Sequence, residues 1–211
     1  MSELLRFDKT SNFTFIDLET LNLCLNFAQN LPWQVAMIKT TGGAIDAERD
    51  LLIKWNTDLR ISHEAKVITR YPEDKIRDFG LSFDEVFPQM EEWLEAADYI
   101  VGHNTLGFDI YLIKEMYRLN GKKITHLVDK FLDTNCLAKG IKFGIPKMPK
   151  ETLLEYQYKL LDTRRKGVKT NLTALGKEYK IDVDYENLHQ ALNDLHLNLM
   201  VFNKLKFQID L

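Results

Sequence analysis

The sequence predicts an α/β fold, a mixed β-sheet covered by helices. Three observations carry this. Short segments rich in aromatic and β-branched residues come first, as a meander over residues 12–55. From residue 82 onward, apolar residues at helical spacing alternate with short buried strands. Neither repeats, nor low-complexity tracts, nor a linker interrupt the chain, so a single domain over residues 1–211 is expected. Hairpin strands followed by alternating strands and helices leave one sheet to be covered on its faces.

Residues 12–18, NFTFIDL, alternate and read as a strand. A second strand is VAMIKT, 35–40, and Thr41-Gly42-Gly43 turns it into a third within 44–55. Segment 82–97 is helical: Ser82 and Glu85 form a capping box, and Phe83, Val86, Phe87, Met90, Trp93 and Leu94 recur at helical spacing. Tyr99-Ile100-Val101 is a short buried strand ending at Gly102, and a helix over about 108–119 is stopped by Asn120-Gly121. A strand runs into Leu132-Asp133-Thr134, followed by a short helix. Gly140, Gly144, Pro146 and Pro149 mark 140–150 as a loop. A helix over 151–160 leads into a basic stretch, 162–170, holding Arg164, Arg165, Lys166 and Lys169. Asn171 caps a helix over 172–179, and the last helix, about 187–207, carries Leu188, Leu192, Leu195, Leu199 and Phe202.

Apolar residues at 45% and charged residues at 28% are an ordinary globular balance, enough for a sizeable core in 211 residues. The charged start, MSELLRFDKT, does not read as a signal peptide, and no run of 18 apolar residues exists. Cys24 and Cys136 form no metal-type spacing. A reduced, cytoplasmic setting without membrane attachment is the simplest expectation. The net charge of −3 excludes a global pull toward nucleic acid, but bound cations and a short basic loop supply positive charge locally.

Three groups of residues carry chemistry. Asp17-Leu18-Glu19 ends the first strand, where residues i and i+2 share a face. Two carboxylates so placed repel unless a cation sits between them, and hard oxygen ligands suit Mg²⁺ or Mn²⁺. In isolation the triplet also fits a solvated strand edge; its place after Phe13, Phe15 and Ile16 argues otherwise. The stretch Gly102-His103-Asn104-Thr105-Leu106-Gly107-Phe108-Asp109 turns from a strand into a helix. That puts Asp109 where it can face the first strand's end, although an acid at a helix start is common for dipole reasons alone. In His189-Gln190-Ala191-Leu192-Asn193-Asp194, the acid lies between Leu192 and Leu195, where an unpaired charge is costly. His189 titrates near neutrality and so suits a general base. A lone histidine is more often structural, which also covers His63, His103, His126 and His196.

Taken together, the three groups resemble the motifs of the DnaQ-like, or DEDDh, family of 3′–5′ exonucleases: Asp17-Leu18-Glu19-Thr20, then Gly102 to Asp109, then His189 to Asp194. Order and separation fit over about residues 12–205, and Leu132-Asp133-Thr134 looks like the family's strand after the second motif. The chain departs from the family in residues 21–32, which are longer and rich in leucine and asparagine. Gln34 stands where many members carry an acid, and 140–170 is longer than a minimal member.

The resemblance implies an RNase H-like sheet of five strands, with the third antiparallel to the rest. It implies two divalent metal ions, Mg²⁺ or Mn²⁺, held by Asp17, Glu19, Asp109 and Asp194, with His189 as general base. Backbone near Leu18 and Thr20 would meet the terminal nucleotide, and Leu21 or Leu23 would wedge against bases. His103, Asn104 and Phe108 are further candidates for substrate contact, although Phe108 is as readily a packing residue. Arg164, Arg165 and Lys169 would hold backbone phosphates, against the alternative of a solvated basic loop. The implied function is 3′–5′ hydrolysis of single-stranded ends, DNA favoured, releasing nucleoside 5′-monophosphates in proofreading or trimming. A DNA polymerase or another replication or repair protein is then the candidate partner. Alternatives are an exoribonuclease of the ribonuclease T or oligoribonuclease type, or a catalytically silent nucleic-acid-binding scaffold. The last predicts loss of a carboxylate, and all four are present.

Overall fold

The computed structural model describes residues 5–26, 28–188 and 190–209. Five strands form one sheet: β1 (Asn12–Thr20), β2 (Pro32–Thr41), β3 (Ala44–Leu52), β4 (Tyr99–Gly102) and β5 (Phe131–Asp133), in the spatial order β3-β2-β1-β4-β5. β1 pairs antiparallel with β2 and β2 with β3, while β4 and β5 run parallel to β1. The reversed strand is therefore the second in the chain, not the third as expected from the resemblance. The reason is local: two successive hairpins reverse the chain twice, so β3 regains the direction of β1 and only β2 is opposed. The second hairpin turns on Gly42 and Gly43, at φ 58° and 93°, in the left-handed region that glycine enters without a side-chain clash.

Eight α-helices follow among the described residues: α1 (His63–Thr69), α2 (Glu73–Phe79), α3 (Phe83–Ala96), α4 (Asp109–Leu119), α5 (Thr134–Phe143), α6 (Leu153–Leu161), α7 (Leu172–Glu178) and α8 (Ala191–Leu205). The expected capping box at Ser82 and Glu85 forms, and Asn171 caps α7 by accepting from the Ala174 amide. Three boundaries differ from expectation. α1 and α2 have seven residues each, too few for a periodic apolar signal; only the Ser62 cap, which accepts from the Ala65 amide, marks the first. α5 continues through Gly140 to Phe143, so the loop begins at Gly144, whose φ of 65° ends the helix. α8 starts at Ala191, the preceding 3₁₀ turn at Tyr185–Asn187 taking up part of the expected helix. None of the described helices is long and apolar enough to cross a membrane.

The period of two along β1 divides the core. Phe13 and Phe15 face one buried cluster, with Leu137, Leu195 and Phe202 of the later helices. Ile16 and Leu18 face the other, with Val86, Leu94 and Ile113 of α3 and α4. Fully burying side chains such as Phe15 and Ile16 contributes roughly 1.5–3 kcal/mol each, so the register of β1 is strongly set. Continuing the same alternation, Asp17 and Glu19 point to the side of Phe13 and Phe15, the side that α8 covers.

Candidate active site

Asp17 and Glu19 thus sit at the end of the central strand, facing α8, and Asp194 is in the first turn of that helix. Carboxylate oxygens of Asp17, Glu19 and Asp194 all lie within 4.8 Å of one another. Asp109 opens α4 from the opposite side. It is buried, and it accepts a hydrogen bond from the Leu18 amide, which ties it to β1 between the first two acids. Asp109 is outside the three-residue cluster but close enough for Asp17 to raise its pKa and for it to raise that of Glu19.

The electrostatics follow from burial and like charge. Burial first, then Asp194, pushes Asp17 up to about 7. Burial, then Asp17, Asp194 and Asp109, pushes Glu19 up to about 9. Asp109 is held well above the usual carboxylate range by burial and Asp17. An all-oxygen donor set with this charge excess fits hard divalent cations, whose charge reverses the penalty.

None of the four acids lines the cleft of about 780 Å³ that opens at the turn leading into Asp109. One wall is the turn between β4 and α4, with His103, Asn104 and Gly107; the other is the stretch after α6, with Arg164, Lys169 and Thr170. The turn is tight: a Cβ on Gly102 would stand 2.6 Å from that of Thr105, so only glycine fits there. Asn104 adopts φ 63° and is exposed on the cleft. His103 Nδ1 lies 2.9 Å from Thr134 Oγ1, and the ring and Thr170 line the cleft together. Burial and then Lys139 lower its pKa to about 4, so it is neutral at ordinary pH.

The other candidates separate. Arg164 and Lys169 line the cleft. Arg165 instead lies over the Phe143 ring and donates to the Phe143 carbonyl, at the end of α5. Thr20 is buried, its hydroxyl donating to the Asn22 carbonyl at 2.6 Å. Leu18 and Phe108 pack in the cluster under α3 and α4. Leu21 is enclosed with Leu31, Trp33 and Ile76 in a third cluster, so its side chain is not presented to a base; Leu23 is exposed, and Leu25 stands on the cleft wall. Leu25 and Lys139 carried no motif signal, and only the fold brings them to the cleft. His189 lies outside the described residues; the neighbouring Gln190 precedes α8 as its cap.

A five-stranded mixed sheet with acids converging at the end of its central strand defines the class: an α/β protein with a carboxylate cluster suited to a divalent cation. The exonuclease family model of RNase T type matches residues 14–202, and the chain belongs to that DnaQ-like family. As a member of that family it is an enzyme of the exonuclease type. A sequence comparison with curated proteins finds no match. Among solved structures, E. coli Exonuclease I in complex with a dT13 oligonucleotide matches with a TM-score of 0.74 at 18% identity, over 94% of this chain and 42% of that one. The zinc-bound E. coli complex with single-stranded DNA gives 0.74 at 17%, over 94% and 41%. The ExoI/SSB-Ct complex gives 0.73 at 16%, over 94% and 42%. At these identities the likeness is one of fold, and this chain spans about two-fifths of the length of those proteins.

Proposed function

We propose that the chain trims single-stranded nucleic acid from the 3′ end, with DNA favoured, and releases nucleoside 5′-monophosphates. The observation that carries this is the convergence of Asp17, Glu19 and Asp194, with Asp109 alongside; the turn that leads into Asp109 lines a cleft whose other wall holds Arg164 and Lys169. The oligonucleotides bound to E. coli Exonuclease I support DNA as the substrate.

Asp17, Glu19, Asp109 and Asp194 would hold two divalent cations, Mg²⁺ or Mn²⁺. When bound, such ions supply positive charge to the phosphoryl oxygens and lower the pKa of the attacking water. His189 takes the proton from that water as oxygen attacks phosphorus, and the bond to the 3′ oxygen of the shortened strand breaks. Arg164 and Lys169 hold backbone phosphates across the cleft, and Leu25 abuts the bases. A DNA polymerase, on the family resemblance, and SSB, on the ExoI complex, are the candidate protein partners.

Digestion of matched, 5′-labelled single-stranded and duplex DNA and RNA with Mg²⁺ or Mn²⁺ tests the reading. Stepwise shortening of single-stranded DNA is expected. Immediate release of the labelled mononucleotide, or cuts in circular single strands, contradicts the polarity, and faster loss of RNA moves the substrate to the ribonuclease reading. The role of His189 has its own test. His189→Ala should lose roughly 10²–10⁴-fold in kcat while Mn²⁺ affinity stays near normal. Loss of metal binding in this variant makes His189 a ligand instead.

A further inference from the structure

A fifth acid, none of the four above, accepts four backbone hydrogen bonds. Asp133, at the end of β5, is fully buried. Its Oδ1 accepts from the amides of Asn135 at 2.9 Å and Cys136 at 3.2 Å, capping α5. The same oxygen accepts from the Asn104 amide at 3.0 Å, and Oδ2 from the Leu106 amide at 3.0 Å. The last two bonds serve the turn that leads into Asp109, 27 to 29 residues away in sequence. A helix cap needs only the first pair.

The next residue extends the link. Thr134 Oγ1 lies 3.2 Å from the Gly102 carbonyl, 2.9 Å from His103 Nδ1 and 2.7 Å from Asn198 Oδ1. Asn198 is four residues after Asp194 on α8, so the two share a helix face. Two adjacent residues therefore join the turn before Asp109 to the helix bearing Asp194.

We propose that Asp133 and Thr134 are positioning residues, which set where Asp109 stands relative to Asp17 and Asp194 and so shape the metal site. The proposal rests on the exonuclease reading for its kinetic arm only. Groups that orient metal ligands typically account for 10–100-fold in affinity or activity. Asp133→Asn keeps size and shape but places an amide in the carboxylate. With Oδ1 still accepting, an NH₂ group faces the Leu106 amide, donor against donor, and that bond is lost.

The test compares wild type, Asp133→Asn, Thr134→Val and Thr134→Ser. In the metal-free protein, amide hydrogen exchange at Leu106 should quicken in Asp133→Asn. Calorimetric Mn²⁺ affinity should fall about 10–100-fold. On an end-labelled oligonucleotide, kcat should fall in the same range with KM nearly constant. Thr134→Val should show a smaller loss of the same kind, and Thr134→Ser should restore it. Thermal melting separates positioning from capping, because a cap alone lowers stability and leaves metal affinity and turnover per folded molecule unchanged; that result overturns the proposal. If Asp133→Asn does not fold, the threonine pair decides, and wild-type affinity and turnover in Thr134→Val overturns it. If the wild type degrades no oligonucleotide, the exonuclease reading fails, while Mn²⁺ affinity and amide exchange still decide the positioning roles.

Discussion

Two sets of carboxylates, at the ends of β1 and β5, are treated in opposite ways. Asp133 is surrounded by donors: burial raises its pKa, and the amides of Leu106, Cys136, Asn104 and Asn135 oppose the rise. Asp17 and Glu19 are surrounded by acids, and both burial and neighbours push them upward, to about 7 and about 9. An acid satisfied by amides closes a structure, whereas acids stacked against one another leave an unpaid electrostatic debt that a cation settles. The difference separates an acid held by hydrogen bonds from acids crowded by like charge.

Removing one of the crowded acids breaks the contrast most severely. Asp17→Ala should lose roughly 10³–10⁴-fold in kcat, corresponding to several kcal/mol of charge stabilisation. The same change should raise metal-free stability by about 1 kcal/mol, because it relieves repulsion. Calorimetric Mn²⁺ titration and urea denaturation check both parts, and Mn²⁺ binding equal to wild type would remove Asp17 from the site. No such stability gain is expected at Asp133, where substitution removes satisfied bonds.

pH sharpens the contrast. The folded pKa values of Asp17 and Glu19 lie above their unfolded values of 3.8 and 4.5, so the folded state retains protons that the unfolded chain has released. Metal-free stability should therefore decline as pH rises from about 4 toward 9, in total by roughly a few kcal/mol. Saturating Mg²⁺ should reduce the decline, since the bound ion favours the ionised acids. Denaturation at pH 5, 7 and 9, with and without Mg²⁺, measures it; a metal-free stability rising over this range would contradict the electrostatic account.

The smallest effects belong to the basic stretch across the cleft from the β4–α4 turn. Arg164→Ala and Lys169→Ala should each raise KM several-fold and flatten its salt dependence. Arg165→Ala should leave the salt slope nearly unchanged, because its guanidinium is placed over Phe143. Equal slopes for all three would return the stretch to ordinary solvated surface.

Much of this was legible in the sequence because it is local. The alternation of Phe13, Phe15 and Ile16 set the faces of β1, and with them the common side of Asp17 and Glu19. Ser82 and Glu85 announced α3, and Asn171 announced α7, since caps are formed within three residues. The three motifs were visible as residue types at fixed spacing. What the sequence could not supply depends on partners far along the chain. Leu21 reads as a free apolar side chain until Trp33 and Ile76 enclose it. Arg164, Arg165 and Lys169 are equivalent as letters, and only Phe143 and the cleft tell them apart. Asp133 reads as a strand end, yet the amides of Asn104 and Leu106 give it a second task. Burial and hydrogen bonding between distant segments are properties of the packed chain, so only the tertiary structure decided which acid is held by amides and which acids crowd one another.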